Sequence, residues 1–204
     1  MKKFYIIILT VFILCVSTVI ALNSTSTGES ESTKNTETQV CALTSPETFD
    51  SIEDFIASLP VVLTDDDKNE SEKETYRRLL NIPADNYTLR YVSHREGVYI
   101  AARYDINNYE YKDEYSSSEN ELCSSAVYQI YLFEDPQKPL QHTYVDDTNY
   151  TPVEYNGKTY YYCPVYTSKG DFVAHSFGFV AENKLMYVCL PGSYTLDEAL
   201  QMLY

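Results

Sequence analysis

The stretch Val153-Glu154-Tyr155-Asn156-Gly157-Lys158-Thr159-Tyr160 decides the fold class. Asn-Gly supplies the two positive φ angles of a tight two-residue turn, and its flanks alternate apolar and polar, so the stretch predicts an antiparallel hairpin. Working outward, the same period of two recurs on both sides. Towards the C-terminus it predicts strands over 160–166 and 171–181, joined at Ser168-Lys169-Gly170, and over 184–190 after a turn at Glu182-Asn183. Towards the N-terminus it predicts a strand over 125–133, stopped by Asp135-Pro136, and a hairpin of 87–93 and 98–106 turning at Arg95-Glu96-Gly97. Residues 107–121 read as a long polar connection.

Helical signals sit only at the two ends of this β region. Ser51-Ile52-Glu53-Asp54 resembles a capping box, and Ile52, Phe55, Ile56 and Leu59 fall at i, i+3, i+4 and i+7 before Pro60. The charged run 64–74 reads as a loop entering a second helix, whose buried stripe is Tyr76, Leu79 and Leu80 and which Pro83 closes. Thr195-Leu196-Asp197-Glu198 is a second capping box, with Leu196, Ala199, Leu200 and Leu203 on one face. The expected fold is α+β: an antiparallel sheet of six or seven strands, with N-terminal helices and a C-terminal helix on one face. No internal repeat is visible.

Upstream, Met1-Lys2-Lys3 precedes an apolar run from Phe4, and Val19-Ile20-Ala21 offers a small-residue cleavage site. Residues 1–21 therefore read as a secretory signal peptide. Left uncut, the same nineteen-residue stretch 4–22 is close to the ~20 residues that span a bilayer, and becomes a membrane anchor. Leu14 before Cys15 does not suit a lipid-attachment site. Residues 22–45, rich in Ser, Thr, Glu and Asn, predict a disordered spacer, and 46–204 a single domain. The expected location is extracellular or the cell surface.

The formal charge of −15 over 204 residues repels phosphate backbones, and no Lys/Arg cluster offsets it. Nucleic acid is excluded as a partner, and a membrane is expected only through an uncleaved N-terminal segment. Tyrosine is over-used, at 21 residues with no Trp. Sugar platforms commonly use Trp, so the tyrosines are expected on the wet face of an antiparallel sheet. Four cysteines outlast the signal: Cys41, Cys123, Cys163 and Cys189. An even number in an exported chain predicts two disulfides in any of three pairings, with free buried thiols as the alternative. They form no C-x-x-C, which argues against zinc.

Chemistry-bearing motifs are weak. The three histidines, His94, His142 and His175, show no metal-binding spacing, and no G-x-S-x-G is present. Asp65-Asp66-Asp67-Lys68-Asn69 opens like a calcium loop, but Glu70 stands where the turn needs glycine and Tyr76 where it needs a bidentate glutamate. Asp146-Asp147 near Asn149 lacks further ligands. Asn23, Asn69, Asn86 and Asn149 head N-x-S/T triplets, a pattern near chance in this composition. Catalytic residues, cofactors and metals are therefore each expected to be none.

Phe49-Asp50-Ser51-Ile52-Glu53-Asp54-Phe55-Ile56 resembles a lead-in helix of exported Gram-positive proteins. Ile82-Pro83-Ala84-Asp85-Asn86-Tyr87-Thr88-Leu89, then Val98-Tyr99-Ile100-Ala101-Ala102-Arg103-Tyr104, resembles the opening of a family of uncharacterised extracytoplasmic domains. These occur in secreted and anti-sigma-factor-like proteins. The Asn156-Gly157 hairpin and the ending Tyr194-Thr195-Leu196-Asp197-Glu198-Ala199-Leu200 are similar too. The resemblance covers 49–204 and implies a sheet-plus-helix domain outside the membrane, with no established catalysis and no functional residue carried over. The function expected is a non-catalytic binding or sensing module for a protein, peptide or glycan at the cell surface. A secreted hydrolase and a structural interaction protein are the rivals.

Overall fold

The structure, a computed structural model, describes residues 45–59 and 66–203, with side chains in the second stretch from residue 70. The signal peptide, most of the spacer and Cys41 lie outside the described residues. Among those described, no helix is long and apolar enough to cross a membrane.

One antiparallel sheet of eight strands organises the chain: β1 (Glu47–Phe49), β2 (Tyr87–Arg95), β3 (Tyr99–Ile106), β4 (Ser125–Tyr131), β5 (Thr151–Tyr155), β6 (Lys158–Tyr166), β7 (Phe172–Ala181) and β8 (Lys184–Pro191). Their spatial order is β1-β2-β3-β4-β8-β7-β6-β5. The sheet is thus two four-stranded meanders whose last strands, β4 and β8, pair at the centre, with Ile130 opposite Met186. The sequence pattern predicts seven of these strands. The eighth, β1, is three residues long and pairs Glu47–Phe49 with His94–Val92, too short for any period to show.

Turn chemistry builds the hairpins. Asn156 and Gly157 take φ of 49° and 72°, joining β5 to β6 as the sequence predicts. Glu182 and Asn183 do the same between β7 and β8, at 49° and 60°. A glutamate is an unusual choice for positive φ. Here its carboxylate takes both Arg78 and the Thr75 hydroxyl, tying the turn to a helix.

The helices are α1 (Ile52–Ser58), α2 (Asp66–Leu80), α3 (Ser117–Ser124), α4 (Gln137–Leu140), which runs into a π-turn (Gln141–Val145), and α5 (Leu196–Gln201). Ser51 caps α1 through Asp54 N–H at 3.0 Å, and Thr195 and Glu198 complete the capping box of α5. Helix α2 starts at Asp66, so much of the predicted loop 64–74 is helical.

Alternate residues of the strands point to opposite faces. On the first face, Val92, Ile100, Ala102, Tyr104, Tyr128, Ile130, Phe177, Phe179, Met186 and Val188 form the core with Phe55, Tyr76, Leu79, Leu80, Ala199 and Leu200 from α1, α2 and α5. Each fully buried large side chain contributes about 1.5–3 kcal/mol. Tyr128 Oη–H donates to the Met202 carbonyl at 3.0 Å, so its buried hydroxyl is satisfied. The N-terminal helices and the C-terminal helix share the first face as expected, and the second face carries helices that the sequence pattern does not predict. There α3 reaches Arg103 through Glu121 at 2.8 Å, and the π-turn lays Tyr144 on Gly178. The reason is legible in β7, where Val173 to Phe179 are buried without a break. A strand buried on both faces needs a layer on each side.

Candidate functional site: the open half of the second sheet face

The residues that carried chemical potential in the sequence are dispersed. His94 is half-buried on β2, its ring 5.4 Å from that of Phe55. His142 is exposed, with Nδ1 3.4 Å from the Asp146 carboxylate. His175 is buried on the first face, between the rings of Tyr162, Phe172 and Phe177. Its Nε2 lies 2.9 Å from the Tyr194 carbonyl and must be the protonated nitrogen, while Nδ1 is buried with no partner. Burial lowers its pKa, and the Tyr194 bond opposes this in part. Ser176, its neighbour in sequence, points to the opposite face, so the two do not form a nucleophile–base pair.

Cys123, Cys163 and Cys189 are free thiols. Cys163 and Cys189 flank Ser176 on the second face, one strand away on each side. Burial pushes the Cys189 thiol up to about 11 and raises Cys163 and Cys123 as well, the opposite of activation. Among the described residues no three His, Cys, Asp or Glu converge as a metal site. Asp66–Tyr76 is helical, a backbone that cannot wrap a cation as a loop does. Asp147 spends its carboxylate on Asn149 N–H and Nδ2, at 2.9 and 2.7 Å. The sequon residues Asn86 and Asn149 are exposed.

What the structure does bring together is tyrosine. The second face divides in two. Over β6–β7–β8 it is roofed by α3, α4 and the π-turn, with Tyr150 Oη 3.4 Å from Ser176 Oγ and its ring edge-on to Tyr144 at 4.9 Å. Over β2, β3 and β4 the same face holds Tyr91, Ser93, Arg95, Tyr99, Arg103, Val127, Gln129 and Tyr131, every one half-buried. Of the first-face residues between them, Val92, Ile100, Ala102, Tyr104, Tyr128 and Ile130 are buried and His94 is half-buried. The expectation of tyrosines on the wetter face holds for Tyr91, Tyr99 and Tyr131, whereas Tyr87, Tyr104, Tyr128 and Tyr160 are packed in the core. Tyr187 on β8 bounds the open half; its ring keeps some exposure while its hydroxyl is enclosed and resists ionisation through burial.

Register gives this surface relief. One row across the strands is Thr48, Ser93, Ala101, Gln129 and Tyr187, small at the β1–β3 end. On one side stands the pair Tyr91 and Arg103; on the other stand Arg95, Tyr99 and Tyr131, with Phe133 stacked on Tyr131 at 5.9 Å. The result is a trough between two ridges, bordered by Tyr91 and Arg103 on one side and by Arg95, Tyr99 and Tyr131 on the other. At about 3.4 Å per residue the ridges are about 14 Å apart, and at about 4.8 Å per strand the open floor from β1 to β4 is about 14 Å long.

Three of the five arginines of this acidic chain border the trough. Arg103 donates through Nη2 to Ser125 Oγ at 2.9 Å and pairs with Glu121 at 2.8 Å, but its Nε is buried without a partner. Arg90 lies 3.8 Å from Asp105 and 3.7 Å from Glu121. Arg95 has no ion pair or hydrogen bond with its side chain among the described residues. The arrangement offers ring faces, an amide, hydroxyls and cationic donors on a rigid sheet. This surface was missed as a site because its residues are 40 positions apart, although the period-two placement of Tyr91, Tyr99 and Tyr131 was a usable signal. No family model, curated protein or solved structure matches the chain.

Proposed function

We propose that the chain is a non-catalytic extracytoplasmic binding or sensing module, exported through its N-terminal segment and engaging its ligand with the open half of the second sheet face. One observation carries this reading: eight side chains on adjacent strands, three of them tyrosines and two arginines, are half-buried on one face while the other face is packed shut. Tyrosine gives large contact area at low entropy cost, and a sheet holds it rigidly. The raised thiols and the separation of His175 from Ser176 favour binding over nucleophilic catalysis. The resemblance to extracytoplasmic domains points the same way.

The test is binding of the fluorescently labelled full chain to intact cells of the producing organism, read by flow cytometry. Saturable binding that Tyr99→Ala/Tyr131→Ala abolishes, in a variant with unchanged far-UV dichroism, is the expected result. Equal binding by the variant, or none by either, overturns the reading.

A further inference from the structure

We propose that the trough binds a carboxylate-bearing saccharide, an acidic pyranose chain lying across the strands; this rests on the binding reading above. The trough runs across β1, β2, β3 and β4, perpendicular to the strands, and ends at Tyr187 on β8. A length of about 14 Å suits a short run of linked sugar rings. The residues Tyr91, Tyr99 and Tyr131 flank it, and a pyranose presents apolar C–H faces that suit aromatic rings. Ser93 and Gln129 supply a hydroxyl and an amide from the floor, the mixed donor–acceptor set that sugar hydroxyls need.

Charge selects the acidic sugar. In a chain of net charge −15, the guanidinium of Arg95 stands on one ridge with no partner among the described residues. Arg103 stands on the other with its Nε buried and its Nη2 held by Ser125 and Glu121, so Arg95 is the guanidinium open to a ligand. The Arg103 side chain is only 18% exposed, and Glu121 already occupies its Nη2. Guanidinium and carboxylate match as a fork, which a neutral sugar cannot exploit. An acidic peptide is less suited. Peptides held by sheets add to an edge strand, or insert side chains into pockets. The floor strands β2 and β3 are each paired on both sides, so neither offers a free edge.

The full chain is titrated with hexagalacturonate, with its fully methyl-esterified form and with a hexaglutamate peptide. Binding is read by calorimetry and by tyrosine emission, which no Trp obscures. Hexagalacturonate is expected to bind saturably. Loss of the fork contact in the ester or in Arg95→Gln is expected to weaken binding about tenfold or more, with the thermal midpoint of the variant unchanged. Tyr99→Ala and Tyr131→Ala are expected to weaken it comparably. Equal affinity for the ester overturns the anionic preference, and equal affinity for hexaglutamate overturns the saccharide. If hexagalacturonate does not bind but the labelled chain still binds cells through Tyr99 and Tyr131, the saccharide inference falls and the binding module stands. Failure of both removes both.

Discussion

His175 and Gly178 show how single side chains fix the two faces of the central strand β7. His175 is held neutral, with one nitrogen used and the other buried among Tyr162, Phe172 and Phe177. Its folded-state pKa is lowered below the ordinary 6.5. The unfolded chain therefore binds more protons below pH 6.5, and stability falls as pH drops from there towards the folded pKa. Carboxylates with lowered pKa, such as Glu72 and Glu182, begin to contribute only nearer 4.5. The window between pH 6.5 and 5 is thus where His175 acts. His175→Gln can still donate to the Tyr194 carbonyl and does not titrate. Thermal midpoints measured across that window should fall more steeply in the parent chain than in the variant, and parallel curves would refute the assignment. On the other face, a Cβ at Gly178 would sit 2.3 Å from a ring carbon of Tyr144. Gly178→Ala should cost about 1–3 kcal/mol through overpacking, read by urea unfolding. The same change in a Tyr144→Ala background should cost less, because the obstructing ring is gone.

The element that most surprised the sequence reading is α3, inside a stretch expected to be a polar connection. Its start signal was present: Ser116 and Glu119 form a reciprocal capping box. What obscured it was a helix of eight residues with only a weak apolar stripe, in a run of Ser, Glu and Asn. Its keystone is Asn120, buried at 5% exposure. The Asn120 side chain accepts from Lys112 N–H at 2.8 Å and donates to the carbonyls of Lys112 and Tyr115 at 2.9 and 3.2 Å. One amide thereby folds the loop before α3 back upon the helix. Asn120→Ala leaves those backbone groups partnerless and should cost about 2–3 kcal/mol, at about 1 kcal/mol per bond. Faster tryptic cleavage at Lys112 should accompany it, and an unchanged cleavage rate would show that the loop is held by other means. Elements with strong local signals were read correctly: the Asn156-Gly157 hairpin, the Glu182-Asn183 turn, and the caps of α1 and α5. Those without, β1 and the α4–π-turn segment, were not. Pro136 caps α4 without a side-chain bond, and Pro139 lies within it, so its sequence argues against a helix that tertiary packing nonetheless holds.

At the scale of the whole molecule, the two meanders meet between β4 and β8, and this places the thiols as well as the trough. Cys163 and Cys189 both lie opposite Ser176, so one strand separates them. Two strand spacings put their Cα atoms about 10 Å apart, and a disulfide tolerates no more than about 7 Å. Composition alone could not reach this, because even numbers of cysteines say nothing about which strands intervene. The same long-range pairing hid the trough, whose floor joins Thr48 to Tyr187 through three intervening strands. A bond between Cys163 and Cys189 would require β7 to leave the sheet centre, taking Phe177 and Phe179 out of the core. Peptide mapping of the unreduced chain should therefore find no Cys163–Cys189 disulfide. Native alkylation should leave Cys189 unmodified, since it is 3% exposed and its thiol is pushed up to about 11. Alkylation in denaturant should modify it fully. Recovery of the 163–189 disulfide from folded protein would overturn the strand order itself, and with it the trough.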